Sequence, residues 1–127
     1  MTTLVEHWSN GQVYCIINRM EGDPLKLHCA DGPASSRWDA RGRLVWQSWW
    51  VNNVRHRADG PALVELVWKD DIVAYQRVEW WYNGIRWREV GPALIVETSA
   101  PTHSRRECWY LDGFCYREKI IGVLRAC

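Results

Sequence analysis

Short runs in which apolar and polar positions alternate are the main pattern along this chain. The clearest runs are residues 62–68, 72–82 and 85–88, which are rich in Val, Ile, Trp and Tyr and predict three strands. Asn83-Gly84 between the last two runs is a strong hairpin signal, because a type I′ turn needs positive φ at both central residues. No apolar pattern of helical period extends over ten residues. We therefore predict an all-β protein.

An internal repeat with a period of about 30 residues organises these runs. A tetrapeptide, Asp-Gly-Pro-Ala twice and then Val-Gly-Pro-Ala, occurs at residues 31–34, 59–62 and 90–93. A Trp-rich block aligns without a gap at residues 49–57, 80–88 and 109–117. We predict one domain, residues 1–127, of about four units with boundaries near 1–34, 35–62, 63–93 and 94–127, in which the first and last units are atypical, as expected of caps.

The two-residue turns fix the cross-strand register and therefore the faces of each hairpin. Trp81 is predicted to lie opposite Arg86, and Trp80 opposite Trp87. One face then collects an almost wholly apolar set, which we expect to be buried. Its members are Trp49, Val51, Val54, His56, Trp80, Tyr82, Ile85, Trp87, Trp109, Leu111, Phe114 and Tyr116.

The opposite face pairs an aromatic ring with an Arg in two of the three blocks. These pairs are Trp50 with Arg55 and Trp81 with Arg86, followed by Tyr110 with Cys115. An exposed ring–guanidinium pair contributes about 0.5–1 kcal/mol. We predict that this face binds a partner through Trp50, Arg55, Arg57, Trp81, Arg86, Arg88, Tyr110 and Arg117. The alternative, of equal weight, is that these rings and Arg residues only support one another along the sheet.

Composition and charge narrow the classes of function. Ten Trp and one Phe in 127 residues, with a net charge of +1, are not typical of a strongly basic nucleic-acid binder. The N-terminus does not read as a signal peptide, and no apolar stretch approaches membrane-spanning length. Five Cys, an odd number without paired spacing, predict free thiols in a reducing cytoplasm.

Motifs for catalysis or metal binding are not found in the sequence. There is no Gly-x-Ser-x-Gly, no phosphate-binding Gly loop and no His-Glu-x-x-His. Cys108 and Cys115 are seven residues apart, which is not a zinc-knuckle spacing, and the predicted register places Cys108 opposite Arg117. His28 corresponds to His56 in the repeat, so a structural role is favoured for it. We predict no metal, no cofactor and no enzymatic activity.

The Trp-rich block followed by Gly-Pro-Ala resembles the MORN-like repeat proteins of phages, giant viruses and some bacteria. The matching stretches are residues 49–62, 80–93 and, more weakly, 109–122, with Val90 and Lys119 in place of the motif Asp. The resemblance implies a twisted antiparallel meander of consecutive β-hairpins that is used for binding. It also implies relatives among antitoxin-like and viral accessory proteins.

These observations together predict a module that binds another protein without catalysis. If the chain is viral, as the resemblance implies, the expected partner is a host protein, for instance an antiviral defence effector that is inhibited by stoichiometric binding in the host cytoplasm. Trp and Arg favour a protein partner because they dominate interface hot spots. Two alternatives are single-stranded nucleic acid stacked on the aromatic face and structural self-assembly.

Overall fold

The computed structural model describes residues 1–99 and 101–122, and within these residues it contains fourteen β-strands and no helix. The prediction of an all-β protein is confirmed. The strands are β1 Thr2–His7, β2 Val13–Met20, β3 Asp23–Leu27, β4 Ser35–Trp38, β5 Leu44–Ser48, β6 Trp50–Val51, β7 Val54–Arg55, β8 Leu63–Lys69, β9 Ile72–Glu79, β10 Trp81–Tyr82, β11 Ile85–Arg86, β12 Leu94–Thr98, β13 Ser104–Leu111 and β14 Phe114–Gly122. Across these two ranges no helix has the length and apolarity needed to cross a membrane.

The main sheet is an antiparallel meander. Its strand order is β1-β2-β4-β5-β8-β9-β12-β13-β14, with β3 paired to β2, so that strands close in sequence are neighbours in space. The predicted meander of consecutive hairpins is therefore confirmed. β1 and β14 lie at the two ends of this order, and every residue of both strands is exposed.

The Ala of each Gly-Pro-Ala step leads directly into a strand of the main sheet. Ala34, Ala62 and Ala93 precede β4, β8 and β12, and they are 0%, 0% and 1% exposed. Each donates its amide to a neighbouring strand; the Ala62 amide bonds the Glu79 carbonyl at 2.8 Å. Because these positions are fully buried, no side chain larger than the methyl group of Ala fits there, which explains why the motif ends in Ala.

The predicted long strand over residues 72–82 is interrupted, which corrects the sequence-based expectation. β9 ends at Glu79, and β10 pairs only with β11 in a separate two-stranded sheet; β6 and β7 do the same one repeat earlier. The break lies at Trp80, whose amide donates to the Ala93 carbonyl at 2.8 Å while its carbonyl accepts the Trp87 amide at 3.1 Å. The chain thus leaves its pairing with β12 at this residue to form its own short hairpin.

Neighbouring short hairpins are bonded to each other through their backbones. The Arg57 amide donates to the Trp81 carbonyl at 3.1 Å, and the Gly84 amide donates to the Arg55 carbonyl at 2.8 Å. The turns have the predicted geometry, with φ of 50° at Asn83 and 81° at Gly84. The predicted register of Trp81 opposite Arg86 is confirmed.

The last unit differs, because β13 and β14 remain in one long hairpin that contains a bulge. The register shifts between Trp109 and Tyr110, so Cys108 lies opposite Glu118 and Trp109 opposite Arg117. The predicted pairing of Cys108 with Arg117 is therefore wrong by one position. An extra residue in β14 is the cause, since a bulge sets two residues of one strand against one of the other.

The predicted burial of the apolar set is also wrong. Seven of the twelve members are exposed, with Tyr82 and Trp87 each 44% and Phe114 77% exposed, and the other five are half-buried. On the opposite face every predicted member except Cys115 and Arg117 is half-buried. Alternation was assigned correctly around the turns, but the apolar side of each hairpin has no second layer packed over it. The polar and aromatic side instead packs against the neighbouring repeat.

Candidate functional site

Five of the predicted partner-binding residues form one continuous stack. From one hairpin to the next the order is Trp50, Arg55, Trp81, Arg86 and Tyr110. The guanidinium carbon of Arg55 lies 4.7 Å from the ring centroid of Trp50 and 5.3 Å from that of Trp81. The guanidinium carbon of Arg86 lies 5.1 Å from the ring centroid of Trp81 and 5.2 Å from that of Tyr110. Each guanidinium lies between the ring of its own hairpin and the ring of the following repeat. All five side chains are half-buried, so these contacts hold successive repeats together.

Glu79 is the anionic centre of this Trp–Arg stack. It is 2% exposed and accepts hydrogen bonds from Arg86 Nε at 2.7 Å, Arg77 Nε at 2.9 Å and Trp81 Nε1 at 3.2 Å. A buried carboxylate is costly unless it is paired and hydrogen-bonded, and these three donors satisfy that condition. Glu79 therefore fixes the orientation of both the ring and the cation beside it.

Arg55 is less well satisfied than its counterpart Arg86. The residue equivalent to Glu79 in its repeat is Ser48, whose hydroxyl accepts a bond from Trp50 Nε1 at 3.0 Å. Arg55 Nε is buried without a hydrogen-bond partner. Burial lowers the pKa of Arg55; Glu79 opposes this effect, and the neighbouring cations of Arg86 and Arg77 add to it.

The other three predicted residues, Arg57, Arg88 and Arg117, are not part of this stack. Their guanidinium carbons lie 4.0, 3.8 and 4.6 Å from the ring centroids of Trp49, Trp80 and Trp109. The expected position of Arg57 and Arg88 beside the stacked rings is wrong for a local reason: the return strands end at Arg55 and Arg86, so alternation stops before these residues.

Arg57 and Arg88 connect the Trp-rich block to the Gly-Pro-Ala step. Arg57 Nη1 donates to the Pro61 carbonyl at 3.0 Å, and Arg88 Nη1 donates to the Pro92 carbonyl at 3.1 Å. A Cβ added at Gly60 would lie 2.8 Å from the Arg57 guanidinium carbon. The Trp ring, the Arg and the Gly are therefore packed against one another. Neither the Trp-rich block nor the Gly-Pro-Ala motif indicated this contact by itself.

These contacts support the alternative reading of the Trp–Arg face, in which rings and cations stabilise each other. Seven of the eight predicted binding residues are half-buried, and only Arg117 is exposed. The rings of the stack already have guanidinium groups against their faces. Binding of a partner through these eight residues stays a prediction.

The exposed side of the hairpins forms an apolar surface that the sequence-based reading assigned to the core. We define this apolar face as Tyr82, Ile85, Trp87, Leu111, Phe114 and Tyr116, which are 44–77% exposed. The Tyr82 and Trp87 rings are 5.6 Å apart, and a groove of about 490 Å³ is lined by Tyr82, Asn83, Ile85, Trp87 and Asp112. Contiguous exposed apolar surface of this kind is typical of interaction sites.

Two His residues have the structural role that the repeat indicated. His28 Nδ1 accepts the Asn52 amide at 2.9 Å, and His56 Nδ1 accepts the Asn83 amide at 3.0 Å. Each His therefore fixes the turn of the following short hairpin. Because Nδ1 accepts, the neutral ring carries its proton on Nε2.

Three potential metal ligands lie together in the last unit, although the sequence spacing did not indicate it. One ligand atom from each of Cys108, Cys115 and Glu118 lies within 4.8 Å of the other two. Cys108 is fully buried and Cys115 is exposed, and burial raises the pKa of the Cys108 thiol. The bulge between β13 and β14, which sequence patterns do not reveal, brings these residues together.

Comparison of this chain with protein-family models, with curated proteins and with solved structures found no match. The resemblance to MORN-like repeats, which carries the expectations about viral origin and binding, stays a prediction.

Proposed function

We propose that this protein is a non-enzymatic repeat module that binds another protein through the apolar face. The observation that carries the proposal is the exposure of six large apolar side chains, four of them aromatic. Aromatic side chains supply large contact area at low entropic cost and are enriched among interface hot spots. The Trp–Arg stack underneath holds the hairpins that present this surface.

The apolar face is continuous between repeats. The Tyr82 ring packs on the His56 ring at 4.6 Å, and a Cβ added at Gly113 would lie 4.0 Å from Ile85 Cγ2. Exposed Arg117, Glu118 and Lys119 follow directly in β14. An apolar centre with a rim of mixed charge fits a protein partner of matching character.

The resemblance to MORN-like proteins extends this proposal to the kind of partner. It supports a phage or viral accessory protein whose target is a host protein, for instance an effector of antiviral defence. Binding would inhibit this effector stoichiometrically by covering a working surface, in the host cytoplasm.

Single-stranded nucleic acid is the first competing function. Base stacking needs open ring faces, and phosphate binding needs available cations. In the Trp–Arg stack each Trp ring faces at least one guanidinium, and Arg77 and Arg86 pair with Glu79. The Trp–Arg stack therefore offers nucleic acid few open ring faces and few available cations. Structural self-assembly is the second competitor and is favoured by the exposed end strands β1 and β14.

The test begins with affinity capture of partners from the native host and measurement of the dissociation constant for the recovered complex. The double variant Trp87→Ala with Phe114→Ala removes two members of the apolar face that are exposed, so the fold is expected to survive. Loss of a single hot-spot residue costs about 2 kcal/mol or more, so we expect binding to weaken by at least about 30-fold even if only one of the two is a hot spot.

The control is the double variant Val67→Ala with Ile72→Ala, which removes two exposed apolar side chains beside the β8–β9 turn, outside the apolar face. It should leave the affinity unchanged. Wild-type affinity in the Trp87 and Phe114 variant would exclude the apolar face as the interface. A complex that dissociates steeply with added salt and is recovered only with nucleic acid would favour the competing function.

A further inference from the structure

The aligned repeats provide a comparison at one buried pair of positions. The residue before the first Trp of each block is Ser48, Glu79 or Cys108, and all three are at most 2% exposed. The residue seven positions later is Arg55, Arg86 or Cys115. In the second block this pair is in direct contact, since Arg86 Nη2 lies 2.7 Å from Glu79 Oε1. The last block replaces both partners of that ion pair with Cys.

The bulge in the last unit turns this Cys pair toward a third ligand. Cys108 lies opposite Glu118, whereas Tyr110 lies opposite Cys115. Two steps along β13 therefore correspond to three steps along β14. The extra residue brings Cys115 and Glu118 to the same face as Cys108, although strict alternation would separate them.

We propose that Cys108, Cys115 and Glu118 bind a zinc ion. Thiolate sulfur and carboxylate oxygen are both zinc ligands, and Zn–S bonds of about 2.3 Å place tetrahedral donor atoms about 3.8 Å apart. The three donor atoms lie within 4.8 Å of each other, so small side-chain rotations complete the geometry. The fourth position is open to water or to a group from a partner.

Two thiolates favour zinc over magnesium or calcium, which prefer oxygen ligands. Binding releases the two thiol protons, one of which Cys115 Sγ donates to the Arg117 carbonyl at 3.4 Å. Two thiolates, one carboxylate and Zn²⁺ sum to one negative charge. Arg106 Nη2, 3.3 Å from Glu118 Oε2, balances that charge and orients the carboxylate.

The test uses the full chain with Cys127→Ser, which removes the one thiol outside the described residues, in the presence of a phosphine reductant. Titration with Co²⁺ as a spectroscopic probe should produce a thiolate-to-cobalt charge-transfer band that saturates at one ion per chain and is lost when Zn²⁺ is added. Native mass spectrometry should show one zinc ion per chain.

Cys115→Ser and Glu118→Gln alter exposed side chains, so both variants are expected to fold, which the infrared amide band of β-sheet checks. Each should weaken Co²⁺ binding by more than the roughly 10- to 100-fold that loss of an outer-shell group costs. Cys29→Ser, a buried Cys outside the cluster, is the matched control and should bind as before. The proposal is overturned if no charge-transfer band forms or if the band survives in Cys115→Ser.

Discussion

Trp81 is the residue on which the Trp–Arg stack depends most. It has guanidinium groups on both sides, Arg55 at 5.3 Å and Arg86 at 5.1 Å, and its indole N–H donates to the buried Glu79. We expect Trp81→Ala to lower the free energy of unfolding by about 3 kcal/mol, the lower end of the range for truncating a large buried side chain. Urea denaturation of the purified variant measures this loss.

Trp87→Ala is the matched control for Trp81→Ala, because it removes the same side chain from the exposed apolar face. It should change the free energy of unfolding by less than about 1 kcal/mol. The opposite order of the two variants would mean that the faces of the short hairpin are assigned the wrong way round.

Gly91 combines a left-handed backbone with a close neighbour. Its φ is +105°, and a Cβ at this position would lie 3.0 Å from Arg88 Nη1, which is held by the Trp80 ring and the Pro92 carbonyl. Strained backbone of this kind costs about 1–3 kcal/mol for residues other than Gly, so Gly91→Ala should destabilise the protein by that amount in thermal or urea unfolding.

The first unit provides the control for this prediction in the same tetrapeptide. A Cβ at Gly32 would meet only Cys29 Sγ, at an ordinary 3.7 Å, and the backbone there is not left-handed. Gly32→Ala should stay within about 0.5 kcal/mol of the wild type. Equal losses at the two sites would show that the Arg88 contact has no part in the effect.

At the scale of elements, the short hairpins differ in how their cations are neutralised. Arg86 of β11 has Glu79, whereas Arg55 of β7 has Ser48 at the equivalent position and leaves its Nε without a partner. The cross-strand neighbour beside Ser48 is also smaller, since Ser48 pairs with Ser35 where Glu79 pairs with Leu94. The hairpin of β6 and β7 therefore lacks the carboxylate that neutralises Arg86 in the hairpin of β10 and β11.

Ser48→Glu should accordingly stabilise the protein. A hydrogen bond to a charged group contributes about 1.5–3 kcal/mol, and part of this is offset by the cost of a larger side chain, so we expect a gain of about 1 kcal/mol. The Gln side chain in Ser48→Gln has nearly the same volume as Glu but carries no charge, so this variant should gain less stability than Ser48→Glu. If the Gln variant is as stable as the Glu variant in urea, Arg55 does not need a counter-ion.

At the scale of the whole molecule, the strands of the meander are paired only with their neighbours in the sheet. β8 and β9 are paired on both sides, whereas β1 and β14 are paired on one side and exposed along their length. Local opening requires less free energy where fewer contacts are lost.

Native-state hydrogen exchange should therefore show a gradient across the sheet. We expect the amides of β8, β9 and β12 to exchange slowest, and those of β1 and the distal half of β14 fastest, when exchange is followed by mass spectrometry or NMR. Uniform protection from β1 to β14 would mean that the sheet opens only as a single cooperative unit.

The sequence predicted the features that depend on local chemistry. Asn83-Gly84 has the positive φ values of its turn, and the register of Trp81 with Arg86 follows from that turn alone. The meander also followed from the repeat. Strands alternating with short turns leave few ways to connect neighbours except in order.

The features that the sequence did not predict depend on contacts between repeats. At the break, the Trp80 amide still bonds the Ala93 carbonyl, whereas the Trp80 carbonyl accepts the amide of Trp87 in its own hairpin. Hydrophobicity alone predicts a core position for the apolar face, because it does not show that cations and rings can fill the inner side. The cluster at Cys108 depends on one extra residue in β14, and a bulge leaves no mark in the alternation of apolar and polar positions.

The Cys at position 115, where the earlier blocks have Arg, also determines where further repeats can be inserted into this array. In the second and third units, an Arg extends beyond its own ring to receive the ring of the following unit, so a duplicated copy of residues 63–93 would find compatible junctions on both sides. Cys115 offers no such cation to a ring added after it. Duplication would therefore lengthen the array upstream of the last unit, in steps of one whole repeat, whereas a unit appended after the last one would find no guanidinium on which to stack.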